Sequence, residues 1–333
     1  MKKVFLAILS IAVLASSCSK DEVIDMPAKK AISFKNSFVD PSVKAAIDPS
    51  LTSGTLQDFK VYGFEQSGAN KVNIFNGVTV TRGGTGTGTS WTYAGTPRYW
   101  ILGNSYDFAA IAPASFTSAD IVCDALGMPT TINYSLSDNN PIDLLYATAD
   151  RNQDGSEIDA TDISFTFRHA LAKLKFTFTN GFAASSGYKI EVRNIKISGV
   201  KSSAVCSLSS RTWTLPGTGT MDLTFGTTGQ IAEASAAESQ YEKLIIPNTT
   251  GADENFAISC TVDLLFNGII IGTYNHAHTL SANFLSNKSY NITSTIDIEN
   301  VNPTEQMKPI TFFVNEVVSW ETMPNTSVQD ATH

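Results

Sequence analysis

The most chemically pointed stretch of this 333-residue chain is DRNQDGSEIDATD, Asp150 to Asp162, where five acidic residues and an asparagine surround Gly155. A helix-flanked calcium loop places oxygen ligands at its first, third and fifth positions, a glycine at the sixth and a carboxylate at the twelfth. Asp150, Asn152, Asp154 and Gly155 meet the first part of that pattern, but Thr161 holds the twelfth position and the carboxylate of Asp162 comes one residue late. The flanks, DLLYATA and ISFTFRH, have the β-branched and aromatic content of strands. Two readings stay open: a strand-flanked calcium site on Asp150, Asn152, Asp154 and Asp162, or a solvated acidic loop between two strands.

Other reactive residue types are scattered. His276 and His278 share one side of a strand, yet spacing brings no third ligand to them. His169 falls on an apolar strand face, where a hydrogen-bonded core histidine is expected. Trp91, Tyr93, Tyr99 and Trp100 offer either a stacking platform for sugars or core packing, with packing expected for at least two of them. The chain contains no GxSxG or HExxH motif and no Cys/His pattern for nucleophilic or metal-assisted hydrolysis. The glycine-rich TRGGTGTGTS lacks the Lys-Ser/Thr ending of a phosphate loop and reads as a flexible hairpin connection. The expectation is a protein that is not an enzyme.

The elements that must carry these residues are strands. Of the residues, 42% are hydrophobic and 16% charged, enough for one large domain or two ordinary ones. Thr and Ser are the commonest residues and β-favouring Ile, Val and Phe recur throughout, without long helical periods. Asn76-Gly77 and Asn267-Gly268 each separate two apolar segments and predict tight hairpins. In ISFTFRHALAKLKFTFTN, Phe165, Phe167, His169 and Leu171 share one parity and Leu174, Phe176 and Phe178 the other. A bulge or a strand break near Ala172-Lys173 would bring both sets into a core. ITFFVNEVVSW, residues 310 to 320, reads as the last strand. The fold class expected is all-β, in two β-sandwiches covering residues 31–183 and 184–333, with the boundary in the small, polar segment NGFAASSGY.

Net charge is −8, with no basic cluster of the kind that follows a phosphate backbone, so no nucleic acid is expected as partner. Residues 1–17 pair a basic start, Lys2-Lys3, with an apolar run from Val4 to Ala15, too short for a permanent membrane span. This is a secretory signal peptide. Cys18 directly after LASS resembles the lipid-accepting cysteine of bacterial lipoproteins, with Ala15 departing from the usual Leu, Val or Ile. Residues 18–30 then form a polar tether. With Cys18 lipidated, Cys123, Cys206 and Cys260 remain, an odd number read as buried thiols, with one bridge between Cys206 and Cys260 left open.

The lipoprotein start, WTYAGTPRYWILGNSYDFAAIAP, DLLYATA with ISFTFRHALAKLKFTF, LIIPNTT, and the closing NKSYNITSTIDI and ITFFVNEVVSW resemble, in order and spacing, the fimbrillin or Mfa-like family. The resemblance implies two tandem transthyretin-like β-sandwich domains and a surface subunit of type V pili or an adhesin, held at the outer membrane by lipid on Cys18. It also implies assembly by strand addition, with other fimbrial subunits as partners and a host or bacterial surface ligand as a further one. An N-terminal strand carrying Ile32, Phe34 and Phe38 would be the exchanged element, and the C-terminal strand with Phe312 and Val314 the edge that pairs between subunits. Arginine-directed trimming of the first strand, usual in this family, has no target here, since no arginine precedes Arg82. That departure favours an anchor or accessory subunit. A non-polymerising surface lipoprotein that binds a glycan through exposed aromatics is the alternative.

Overall fold

The computed structural model describes residues 29–35, 38–39, 56–83, 90–215, 217–302 and 307–319. Among these, regular structure is strand apart from one short 3₁₀ turn, Ile298–Asn300. The N-terminal sheet has eight strands in the order Phe34–Lys35, Ser90–Tyr93, Asn70–Gly83, Asp58–Ser67, Ser105–Ala112, Leu145–Asn152, Thr166–His169 and Phe38–Val39. Its first and last strands, Phe34–Lys35 and Phe38–Val39, lie close together in the sequence and form the two margins of the sheet.

The C-terminal part contains two five-stranded sheets. In one, Ala236–Glu238, Ala172–Asn180, Lys288–Ile296 and Phe313–Ser319 lie side by side, with Lys243–Ile245 also on Ala172–Asn180. In the other, the order is Thr220–Thr224, Tyr188–Lys201, Glu254–Phe266 and Ile269–Ala282, with Gln230–Ile231 also on Tyr188–Lys201. A four-stranded sheet links the halves, pairing Pro129–Ser135 with Ser203–Ser207.

Side-chain alternation explains two separate cores. Phe59, Val61, Phe108 and Ala110 face one cluster, whereas Tyr62, Ala109 and Ile111 on the same strands face the other. Strands buried on both faces read as continuous apolar runs, which accounts for SYDFAAIA at Ser105–Ala112. The parity slip in ISFTFRHALAKLKFTFTN is a strand break. Phe165 and Phe167 pack into the first cluster, and Leu174, Phe176 and Phe178 into the second. Among the described residues, strand Ala172–Asn180 pairs only with segments that follow residue 183, nine residues of it in parallel with Lys288–Ile296.

Asn267-Gly268 forms the expected hairpin turn, with φ 48° and 80°. Asn76-Gly77 does not. It lies inside strand Asn70–Gly83, where the register against Asp58–Ser67 shifts and Gly77, at φ 66°, is the extra residue of a bulge. The turn itself is at Gly68, φ 57°. The same local chemistry, a residue pair that accepts positive φ, serves a kink instead of a reversal. Cys206 and Cys260 are free thiols in different sheets, and burial pushes each up to about 12.

Candidate functional site: the seam closed by the first strand

ISFK, residues 32 to 35, alternates two apolar with two polar residues, and the structure turns that alternation into an inside and an outside. Ile32 and Phe34 are 1% and 2% exposed. The main chain is bonded on both flanks. On one side the Ile32 amide donates to the Arg98 carbonyl (2.7 Å) and the Trp100 amide to the Lys30 carbonyl (3.0 Å). On the other, the Ile163 amide donates to the Ser33 carbonyl (2.8 Å) and the Lys35 amide to the Ile163 carbonyl (2.9 Å). The segment is antiparallel to Ser90–Tyr93 and parallel to the chain at Ile163, and Phe38 continues it by pairing its backbone with Thr166.

Phe34 is the centre of the first core. Its ring lies 5.6 to 6.4 Å, centroid to centroid, from those of Phe59, Phe75, Phe108, Tyr93 and Phe165. Tyr93 also donates its hydroxyl to the Ile32 carbonyl (3.1 Å). Without residues 31–35 and 38–39 the sheet would show two unpaired margins and an apolar slot between them. That arrangement is satisfied by any extended segment offering main-chain bonds and alternate apolar side chains.

The acidic stretch supports this seam. Asp162 accepts a hydrogen bond from the Ser33 hydroxyl and lies 3.7 Å from the Lys35 ammonium, so it holds the outward face of the first strand. Asp150 and Asn152 sit on strand Leu145–Asn152 opposite Asp107 and Ser105. Asp154 accepts from the Asn152 amide (2.8 Å). The Gln153 side chain, 1% exposed, spans the loop by bonding both the amide and the carbonyl of Asp159. The hydroxyl and amide of Thr161 hold the Asp159 carboxyl below the usual range. The four residues weighed as calcium ligands are thus divided between a strand, a loop bond and the first strand. No grouping of three or more His, Cys, Asp or Glu suited to a metal occurs among the described residues.

Phe312 and Val314 lie in the second core, apart from Ile32 and Phe34. Phe312 is buried against Phe176, Phe178 and His278, Val314 pairs with Ile292, and Phe313 between them is 61% exposed. Strand Phe313–Ser319 is the margin of its sheet. Cys18 lies outside the described residues.

Trp91 and Trp100 pack inside the first core, against Phe59 and Tyr106, and only Tyr99 of the aromatic group is exposed. This removes the sugar platform. His169 bonds Asp143 (2.6 Å). His276 is buried opposite Cys260, and desolvation lowers its pKa. The residues that sequence reasoning missed are Asp162 as a clamp and Ile163 as a backbone partner. The polar residues of ISFK and the carboxylate just before ISFTF carry the signal for the clamp, while nothing local carries it for the parallel partner.

The molecule is therefore an all-β scaffold whose N-terminal core is completed by its own first strand. The sequence pattern of the fimbrillin-like family matches residues 45–309, and the chain belongs to that family. Its fold is similar to that of a fimbrial protein from Bacteroides vulgatus, with TM-score 0.61 and 17% identity over 87% of this chain and 99% of that one. It is also similar to a candidate cell adhesion protein from Bacteroides ovatus, with TM-score 0.52 and 15% identity over 89% and 100% of the two chains. No curated protein matches it by sequence.

Proposed function

We propose that this chain is a non-enzymatic subunit of a cell-surface fimbria, or an adhesin associated with one, that joins its neighbours by strand addition. Family membership and likeness to fimbrial and adhesion proteins support the general role. The observation that carries the mechanism is the placement of residues 31–35 and 38–39 on both margins of the eight-stranded sheet, with Phe34 at its core. In this reading the first strand is the element displaced, and the marginal strand Phe313–Ser319 with Phe312 and Val314 is the segment offered to another copy. The chain is exported, lipidated at Cys18 and held at the outer membrane. The missing arginine before Arg82 fits an anchor or accessory position that keeps its lipid. The two sets of sheets act as tandem sandwich units, one accepting and one donating a strand.

Cell-surface fractionation and immunogold electron microscopy of a tagged protein test the role. Label along or at the base of surface filaments is expected, and a soluble periplasmic monomer that never reaches the surface would overturn it. A mass spectrum of the mature protein from cells tests the anchor, with a lipid-bearing Cys18 terminus expected.

A further inference from the structure

The hairpin between Glu254–Phe266 and Ile269–Ala282 ends in an apolar tip. Phe266, Ile269, Ile270 and Ile271 are 40%, 69%, 54% and 55% exposed. The positive-φ turn Asn267-Gly268 holds them together, and the Phe266 ring rests on that of Tyr188 at 5.1 Å. No charged residue occurs from Leu264 to Ala282. Contiguous large apolar side chains on a soluble surface mark a contact.

Strand registers place this tip. Ala172–Asn180 starts where the chain leaves the eight-stranded sheet and runs to Asn180, whose amide donates to the Tyr188 carbonyl (3.2 Å); Tyr188 in turn pairs with Phe266. The tip is thus at the end of the C-terminal sheets remote from the N-terminal one. In the eight-stranded sheet, Ala112 pairs with Leu145, near the junction at Ala170, which bonds the Leu144 carbonyl. The opposite end of that strand, Ser105, follows Ile101 and Leu102, which are 49% and 46% exposed, beside exposed Tyr99. One chain therefore exposes neighbouring apolar side chains at each of these two ends, with the Lys29 ammonium 5.7 Å over the Tyr99 ring at the second.

We infer that the Phe266–Ile271 tip of one copy seats on the Tyr99–Leu102 end of a second copy, a head-to-tail contact that repeats along a row of subunits. The inference rests on the fimbrial reading and adds to strand addition a separate, reversible contact. Two different patches at opposite ends suit a heterologous interface, which propagates, and not a two-fold one. A lipid surface is the poorer occupant, because membrane-seeking hairpins carry basic residues for headgroups and this tip has none, on a chain of net charge −8.

Sedimentation velocity on the purified mature chain tests it, using Ile270→Glu at the tip and Leu102→Glu at the other end. Both sites are exposed, so unchanged unfolding midpoints verify the folds. The parent should self-associate with rising concentration, each variant at least about tenfold more weakly. An equimolar mixture of the two variants should recover a two-copy species and nothing larger, since only one intact tip and one intact seat can meet. Parent-like association of Ile270→Glu, pairing of Leu102→Glu with itself, or absence of association with binding to phosphatidylcholine vesicles would each overturn the inference. If strand exchange fails while this contact persists, the fimbrial reading falls and the contact stands; loss of the contact with exchange intact gives the reverse.

Discussion

Replacing Phe34 by alanine probes the seam at its most buried point. The side chain is 2% exposed and is ringed by five aromatic groups, Tyr93, Phe75, Phe59 and Phe108 on four neighbouring strands and Phe165 just before strand Thr166–His169. Removing a buried phenylalanine costs about 3–5 kcal/mol, the upper part applying where the surroundings cannot collapse into the space. Four of the five rings are anchored on separate strands and cannot close the gap without breaking ladder bonds, so about 4 kcal/mol is expected, against a total of about 5–15 for a typical domain. Urea unfolding followed by tryptophan fluorescence is the assay, since Trp91 and Trp100 lie in this same core. The midpoint should fall with little change in slope. Phe313→Ala, at a side chain 61% exposed, is the control and should move stability by no more than about 0.5 kcal/mol. A loss below about 1 kcal/mol for Phe34→Ala, or one equal to the control, would refute the claim that the first strand completes this core.

Three further outcomes follow from the geometry. Gly63→Ala should destabilise by about 1–3 kcal/mol, because the new methyl would lie 2.9 Å from the Phe75 and Phe108 rings; an unchanged melting temperature would show that the rings yield freely. Asp162→Ala should cost about 1 kcal/mol through the lost Ser33 bond and should speed amide exchange at Ile32 and Lys35 more than elsewhere, which hydrogen-exchange mass spectrometry reads. Burial lowers the pKa of His276, so the unfolded chain takes up a proton below about 6.5 while the fold resists it. Stability from this group is present above that pH and lost as pH falls towards the lowered folded value. His276→Gln should flatten the slope below pH 6.5, and an identical profile in parent and variant would contradict it.

Several of these features were legible in the sequence for identifiable reasons. Ile32 and Phe34 are marked by the family resemblance as residues of a first strand, and the parity slip between Phe167 and Leu174 marks a bulge or a break, which the structure makes a break between two cores, ahead of the boundary expected at residue 183. Of Trp91, Tyr93, Tyr99 and Trp100, packing is expected for at least two from their size, and Trp91 and Trp100 are both inside. Asn76-Gly77 misled because positive φ is a local property, whereas the choice between turn and bulge is made by pairing with Asp58–Ser67. The parallel partner of the first strand, Ile163, lies 129 residues beyond Phe34, and no pattern in either segment announces the other. The acidic stretch had calcium-like spacing, but spacing along the chain did not reveal that Asp162 would turn to Ser33 and Lys35.

Strand displacement is the centre of this account, and native mass spectrometry can follow it directly. A protease site inserted between Val39 and Leu56 would free the first strand while leaving it seated, and the cut protein would then be incubated at rising concentration. The prediction is that chains link one to the next as the N-terminal peptide is released, one peptide for each link formed. Cut protein that stays monomeric and retains its peptide until the whole fold melts would contradict it.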